Sequence, residues 1–302
     1  MTTASPAMPA PSRLRTYASF VRFEHTLFSL PLILVGVFSV TGPALTGMRW
    51  LLVAIAAVGA RTSAMTLNRV IDRHIDARNP RTQSRELPAG RMKLAEAVAL
   101  LLASTIVYAA ACDALGPWYL KVAIVPFAVF ALYPYLKRFT PLCHAGVGLA
   151  LALAPLAGFA VAHADLSRSG TAFALAAFAL FWVTGFDIIY ATLDEAFDRA
   201  HGVHSTVVWL GRASALRVSW ALHLFAMAAL GYAAWTIALA NGAPAPFWLG
   251  ITAGCLAGTL ALLWLEQRWA QDVNLAFFKT NVVVGFLVLA TVLAARMASG
   301  GF

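Results

Sequence analysis

Long stretches without Asp, Glu, Lys or Arg alternate along this chain with short polar segments. Charge-free or nearly charge-free runs occupy 26–48, 50–68, 97–112, 122–136, 139–164, 169–186 and 280–295. The stretch 218–265 carries no Asp, Glu, Lys or Arg and is too long for one membrane crossing. Asn241-Gly-Ala-Pro-Ala-Pro246 divides it in two, because Gly and Pro interrupt a helix. A spanning helix needs roughly 20 mostly apolar residues. The pattern therefore predicts nine helices, at 26–43, 50–76, 94–113, 118–136, 141–163, 171–196, 214–238, 246–266 and 275–297.

Composition agrees with that reading. Hydrophobic residues make up 61% of the 302 and charged residues only 12%, about half the charge expected on a water-soluble domain. A soluble globular enzyme and a disordered chain are both excluded, leaving an all-α polytopic membrane protein. Residues 1–12 are small, Pro-rich and uncharged, without the basic start of a signal peptide. They are expected to form a disordered tail ahead of a single transmembrane domain over 13–302.

The net charge of +9 could point to nucleic acid, but topology explains it better. With the N-terminus in the cytoplasm, nine spans place 18 of the 22 Lys and Arg on the cytoplasmic side. Only Arg49, Lys121, Arg168 and Arg296 fall on the other. No nucleic-acid partner is expected. Cys112, Cys143 and Cys255 are far apart and suggest neither a disulfide framework nor a zinc site.

Acidic residues concentrate in two short windows, both in cytoplasmic segments: Asn68-Arg-Val-Ile-Asp72-Arg-His-Ile-Asp76 and Asp187-Ile-Ile-Tyr190-Ala-Thr-Leu-Asp194-Glu195-Ala-Phe-Asp198. Carboxylates at membrane helix ends are costly unless paired or metal-bound. Asn68, Asp72 and Asp76 recur every four residues and share a helix face with Arg61. Asp187, Asp194 and Asp198 sit at i, i+7 and i+11, again one helix face, with Tyr190 at its edge. Like charges four residues apart repel, and a divalent cation between the two faces removes that penalty. Hard oxygen donors without a Cys or His cluster favour Mg²⁺ with substrate phosphate oxygens. Arg22, Arg69, Arg73, Arg81, Arg85, Lys137 and Arg138 supply the cations that a diphosphate needs beyond the metal.

These residues resemble the UbiA superfamily of intramembrane prenyltransferases. Asn68-x3-Asp72-x3-Asp76 is similar to its NxxxDxxxD motif, and Asp187-x2-Tyr190-x3-Asp194-x3-Asp198 to its DxxYxxxDxxxD motif. Arg22-Phe-Glu-His25 through Pro31, Arg81-Thr-Gln-Ser-Arg85, Tyr133-Pro-Tyr135-Leu-Lys137-Arg138 and Ala276-Phe-Phe-Lys279-x-Asn281 extend the likeness over most of the chain. The resemblance implies nine helices around a central cavity capped on the cytoplasmic side, in the cell inner membrane. It implies Mg²⁺-dependent transfer of a polyprenyl chain from polyprenyl diphosphate to a 4-hydroxybenzoate-type aromatic acceptor in respiratory quinone synthesis. Phe186-Asp-Ile-Ile-Tyr-Ala and His201-Gly-Val-His204-Ser205 lean toward a branch using a futalosine-derived acceptor for menaquinone.

The implied roles follow. Asn68, Asp72, Asp76, Asp194 and Asp198 would hold the metal. Arg22, Arg61, Arg69, Arg73, Lys137 and Arg138 would bind diphosphate. Asp187, Tyr133 and His204 would meet the acceptor. Tyr190 or Tyr133 would shield an allylic cation, and Asp187 would orient the acceptor or take its ring proton. Loops 77–93 and 197–213 are expected to act as a lid. His144, His163 and His223 read as buried structural histidines. A secondary transporter is the competing class, but its acids should lie at the bilayer midplane, whereas most here sit at helix ends.

Overall fold

The computed structural model describes residues 12–22, 26–40, 45–163, 169–270 and 275–301. Among them every regular element is a helix: α1 (Arg13–Phe20), α2 (Thr26–Phe38), α3 (Gly47–Arg78), α4 (Leu94–Leu115), α5 (Pro117–Val122), α6 (Ile124–Leu136), α7 (Cys143–Ala162), α8 (Gly170–Ala191), α9 (Glu195–His201), α10 (Thr206–Leu210), α11 (Arg212–Ala238), α12 (Pro246–Trp269) and α13 (Leu275–Ala298). Among the described residues, eight segments are long and apolar enough to cross a bilayer, with α5 and α6 forming one. The first predicted span contains α2, and its end at 41–43 lies outside the described residues, as does the expected tail apart from Ser12. Ser12 itself is ordered as the N-cap of α1, its hydroxyl accepting from the Arg15 amide at 3.3 Å.

Helix α8 sits at the centre. Leu175, Phe178 and Trp182 are fully buried among Leu32 of α2, Leu230 of α11 and Val288 of α13. Helices α2 and α7 meet backbone to backbone. A Cβ on Gly36 would stand 2.0 Å from the Pro155 carbonyl oxygen, and one on Gly158 would stand 2.0 Å from that of Ile33. Such small residues permit close helix packing where lipid supplies no hydrophobic drive.

Two expectations change at the polar end. The helix predicted over 171–196 stops at Ala191. The amides of Thr192, Leu193 and Asp194 turn back three residues, to Ile189, Tyr190 and Ala191, and the Thr192 hydroxyl donates to the Ile189 carbonyl at 2.7 Å. This tightening ends α8, so Asp187, Asp194 and Asp198 do not share one helix face; Asp198 lies on α9. The presumed lid loops are also structured. Segment 197–213 holds the end of α9 and all of α10, and 79–93 is a run of turns clamped by α1. Arg13 donates to Glu96 at 2.6 Å, Ser19 donates to Glu86 at 2.7 Å, and Phe20 packs on Met92 and Ala97.

Candidate active site

Helix α3 runs unbroken through the first window and ends at Asn79, where Pro80 cannot continue it. Asp72 and Asp76 are buried on its inner face. Asp72 accepts from Asn68 Nδ2 at 3.1 Å, from Lys137 Nζ at 2.7 Å and from Arg138 Nη1 at 3.3 Å. Arg85 Nη1 donates to both oxygens of Asp76 at 2.8 Å. Lys137 and Arg138 are placed by the end of α6, where Arg138 also donates to the carbonyls of Pro134 and Ile71.

The first window is tied to the second through the turn after α3. Asn79 Nδ2 donates to Asp194 Oδ1 at 2.8 Å. Arg81 grips the same carboxylate through Nε, at 2.8 Å, and through Nη2. Burial would raise Asp194, but the hydrogen bonds and charge of Arg81, with Asn79, outweigh it and hold this carboxyl below the usual range. Asp198 behaves oppositely: burial first, then the Asp194 carboxylate, push it up to about 6.

Beneath this cap lies a cavity of about 940 Å³. Its polar end includes Arg22, Arg61, Asn68, Arg69, Tyr133, Asp187 and Tyr190. Its remainder is apolar and extends to Leu115, Trp118, Tyr119 and Val122. The Arg81 guanidinium covers the Tyr190 ring at 5.1 Å. Asp187 meets His144 of α7 at 2.7 Å, Nδ1 to Oδ2. Nothing in the sequence around His144 signals this pairing, and Asn79 carries no signal beyond a helix stop.

Most of the expected site residues converge here. Arg73 and His204 do not. Arg73, one position past Asp72, is turned by about 100° around the helix and donates to its own helix at the Val70 carbonyl. The His204 side chain is exposed outside the cavity; its amide donates to the Lys137 carbonyl at 2.8 Å and its carbonyl accepts from Cys143 Sγ. His25 lies outside the described residues. The cysteines are free.

The donor set suits a hard divalent cation. Among the described residues, no three His, Cys, Asp or Glu side chains are already gathered as a metal cluster; Arg85, Lys137 and Arg81 hold Asp76, Asp72 and Asp194 apart. Burial and the neighbouring Asp194 carboxylate raise Asp198, and a cation between the two would favour its ionised form. Asn68, Asp72, Asp76, Asp194 and Asp198 carry carboxylate and amide oxygens, the donor type of a Mg²⁺ site.

Comparison with known proteins agrees with this architecture. The chain is 29% identical over 299 residues to the 4-hydroxybenzoate octaprenyltransferase of Burkholderia vietnamiensis, covering 96% of this chain and 98% of that one. It is 29% identical over 289 residues to the enzyme of the same name from Cupriavidus necator, covering 92% and 96%. The apo structure of a UbiA homolog from Aeropyrum pernix K1 superposes with a TM-score of 0.77 at 33% identity, over 89% of this chain and 97% of that one. A UbiA homolog from Archaeoglobus fulgidus, solved bound to GPP and Mg²⁺, shares the fold with a TM-score of 0.70 at 20% identity, over 93% and 99%. The sequence model of the UbiA prenyltransferase family matches residues 29–295, and this chain therefore belongs to that family and is a membrane prenyltransferase.

Proposed function

We propose that the protein transfers a polyprenyl chain from polyprenyl diphosphate to 4-hydroxybenzoate, in the ubiquinone route, at the inner membrane. The observation that carries this reading is the continuity of one long apolar cavity with a polar cap where two acidic windows and several cations meet. A polyprenyl tail fits the apolar part, and its diphosphate reaches the cap. The names of the Burkholderia and Cupriavidus relatives support the acceptor, and the GPP and Mg²⁺ of the Archaeoglobus homolog support the donor class and the metal. The basic residues on the capped side favour nine spans with the N-terminus and the site facing the cytoplasm.

Asn68, Asp72, Asp76, Asp194 and Asp198 would hold Mg²⁺, which supplies a Lewis acid for the diphosphate oxygens. Arg22, Arg61, Arg69, Lys137 and Arg138 receive the negative charge that develops as the allylic C–O bond breaks and the electron pair leaves with diphosphate. Tyr190 and Tyr133 present ring faces to the allylic cation. A ring carbon of the acceptor bonds to C1 of the prenyl chain, and Asp187 takes the displaced ring proton. His144 is a positioning residue: its Nδ1–H holds one Asp187 oxygen and leaves the other toward the cavity. The apolar wall excludes water that would trap the cation.

The test is prenyl transfer in reconstituted membranes with Mg²⁺, a polyprenyl diphosphate and 4-hydroxybenzoate, read by product mass. Activity lost in Asp72→Ala and Asp194→Ala supports the reading. Full activity in both variants, or no prenylated acceptor from the unmodified protein, overturns it.

A further inference from the structure

Behind the cap lies a second chamber of about 220 Å³, walled by Arg22, Arg69, Arg81, Arg85, Arg91 and Glu86. It is distinct from the large cavity in its chemistry, having almost no apolar wall. It adjoins that cavity, since Arg22, Arg69 and Arg85 line both. The end of α1 and the turns of 79–93, which Ser19 and Phe20 hold together, frame its outer side, where the Arg91 side chain is exposed.

The arginines of this chamber are not equally matched. Arg81 and Arg85 have Asp194 and Asp76. Arg91 approaches Glu86 at 3.8 Å and donates to the Ser84 carbonyl at 2.6 Å. Arg69 is different. It is 4% exposed, yet its Nε and Nη1 have no hydrogen-bond partner among the described residues. Leaving buried guanidinium donors unmatched is costly, and a guanidinium fork suits phosphate oxygens. Arg22 adds a second sign of a built site. It is the one non-glycine residue with positive φ among those described, at 49°, and this left-handed turn sets it at the boundary of the two chambers.

We infer that this chamber is a second anion subsite, which receives inorganic diphosphate after it leaves the prenyl chain and passes it to water. The inference rests on the proposed prenyl transfer. The apolar cavity cannot release a polyanion through its own walls, whereas the shared arginines lead out of it. The chamber has room for roughly seven waters by volume, enough for a partly hydrated diphosphate. Glu86 limits how tightly the ion is held: 5% exposed, it brings a carboxylate into the same wall, fixed by Ser19. Arg91 attracts the product and Glu86 repels it, so the ion binds and then leaves.

The experiment uses the full chain in phosphatidylcholine nanodiscs with Mg²⁺. Prenyl transfer is followed by mass, and inhibition by added inorganic diphosphate gives Ki, expressed as a ratio to the donor KM of the same protein. Isothermal titration with diphosphate alone gives binding without turnover. Arg91→Ala is expected to raise the Ki-to-KM ratio about fivefold and weaken titrated binding alike; Glu86→Gln is expected to lower the ratio by about the same factor. Transfer that proceeds with a ratio unmoved by both variants overturns the inference. Diphosphate binding that disappears when phosphatidylglycerol replaces part of the lipid assigns the chamber to a headgroup phosphate and also overturns it. Arg91-dependent binding in a protein that transfers no prenyl group would overturn the proposed function and leave the anion chamber standing.

Discussion

His144 and Asp187 face each other across the α7–α8 interface, Nδ1 to Oδ2 at 2.7 Å. The histidine is buried and the aspartate opens onto the cavity. Two neighbouring helices thereby fix a carboxylate at the depth where an acceptor ring would meet the head of a prenyl chain. A lone aspartate on α8 could rotate about its side-chain torsions; held from behind, it presents one oxygen in one direction.

This arrangement makes the two residues separable by kinetics. Asp187→Asn is expected to lower kcat by about 100-fold or more, the scale of a lost general base, with the donor KM little changed. His144→Ala is expected to cost less, about tenfold, because the carboxylate remains but is no longer oriented. His144→Gln, which keeps a donor, should recover part of that loss. Rates and KM values for both substrates check the ordering. A His144→Ala variant as impaired as Asp187→Asn would give the histidine a direct role in place of positioning.

Among the ion pairs of the cap, Asp72 is the most enclosed carboxylate, and Lys137 pairs with it at 2.7 Å. Lys137→Met leaves Asp72 with Asn68 and the longer Arg138 contact alone. Removing one member of a buried pair costs on the order of 3 kcal/mol, so thermal unfolding in detergent should shift clearly downward. The double change Asp72→Asn with Lys137→Met removes both charges and should regain much of that stability while remaining inactive. Thermal shift and activity on the same samples separate the two effects.

How the chain encodes this site differs from residue to residue. The helices were legible because lipid tolerates few charges: each predicted helix core coincides with an observed helix, and eight segments among the described residues are long and apolar enough to cross a bilayer. The first acidic window was legible because α3 continues through it, so four-residue spacing translates directly into one face. The second was not. Thr192-Leu193-Asp194 contains neither Gly nor Pro, and α8 ends through local hydrogen bonds that helical spacing does not reveal. The cap closed the gap in another way, since Asn79 and Arg81 reach Asp194 across the turn and bring the windows together despite the break. Proximity along the chain grouped Arg73 and His204 with the site, but neither side chain lines the cavity. Helix α1 escaped notice because eight residues at the membrane edge produce no hydropathy signal. His144 escaped because a single histidine in an apolar helix looks the same with or without a functional neighbour.

The contact between α2 and α7 is set by two glycines. With a Cβ at Gly158 only 2.0 Å from the Ile33 carbonyl oxygen, neither backbone can yield without separating the helices. Gly158→Ala should destabilise by at least the ~1–3 kcal/mol of ordinary overpacking, and Gly158→Leu should prevent folding into the membrane. Expression level and thermal stability of the alanine variant check this. An alanine variant as stable as the unmodified protein would mean that the two helices are not locked at this crossing.

The far end of the cavity offers a test of donor length. Tyr119 lines it roughly 20 Å along the α5–α6 span from Tyr133. Its hydroxyl donates to the Ala160 carbonyl at 3.2 Å and accepts from Arg49 Nη2 at 3.1 Å, so the ring is pinned as a wall. A pinned aromatic wall discriminates by volume, and pockets of this kind separate substrates differing by a methylene by about tenfold or more. Tyr119→Ala should extend the cavity and raise kcat/KM for a donor one isoprene unit longer by about tenfold relative to the preferred one. Tyr119→Phe keeps the ring but loses both hydrogen bonds, and should relax length preference by less. Competing donors of graded length, with products resolved by mass, give the comparison directly. An unchanged product distribution in Tyr119→Ala would mean that the tail does not extend to this wall.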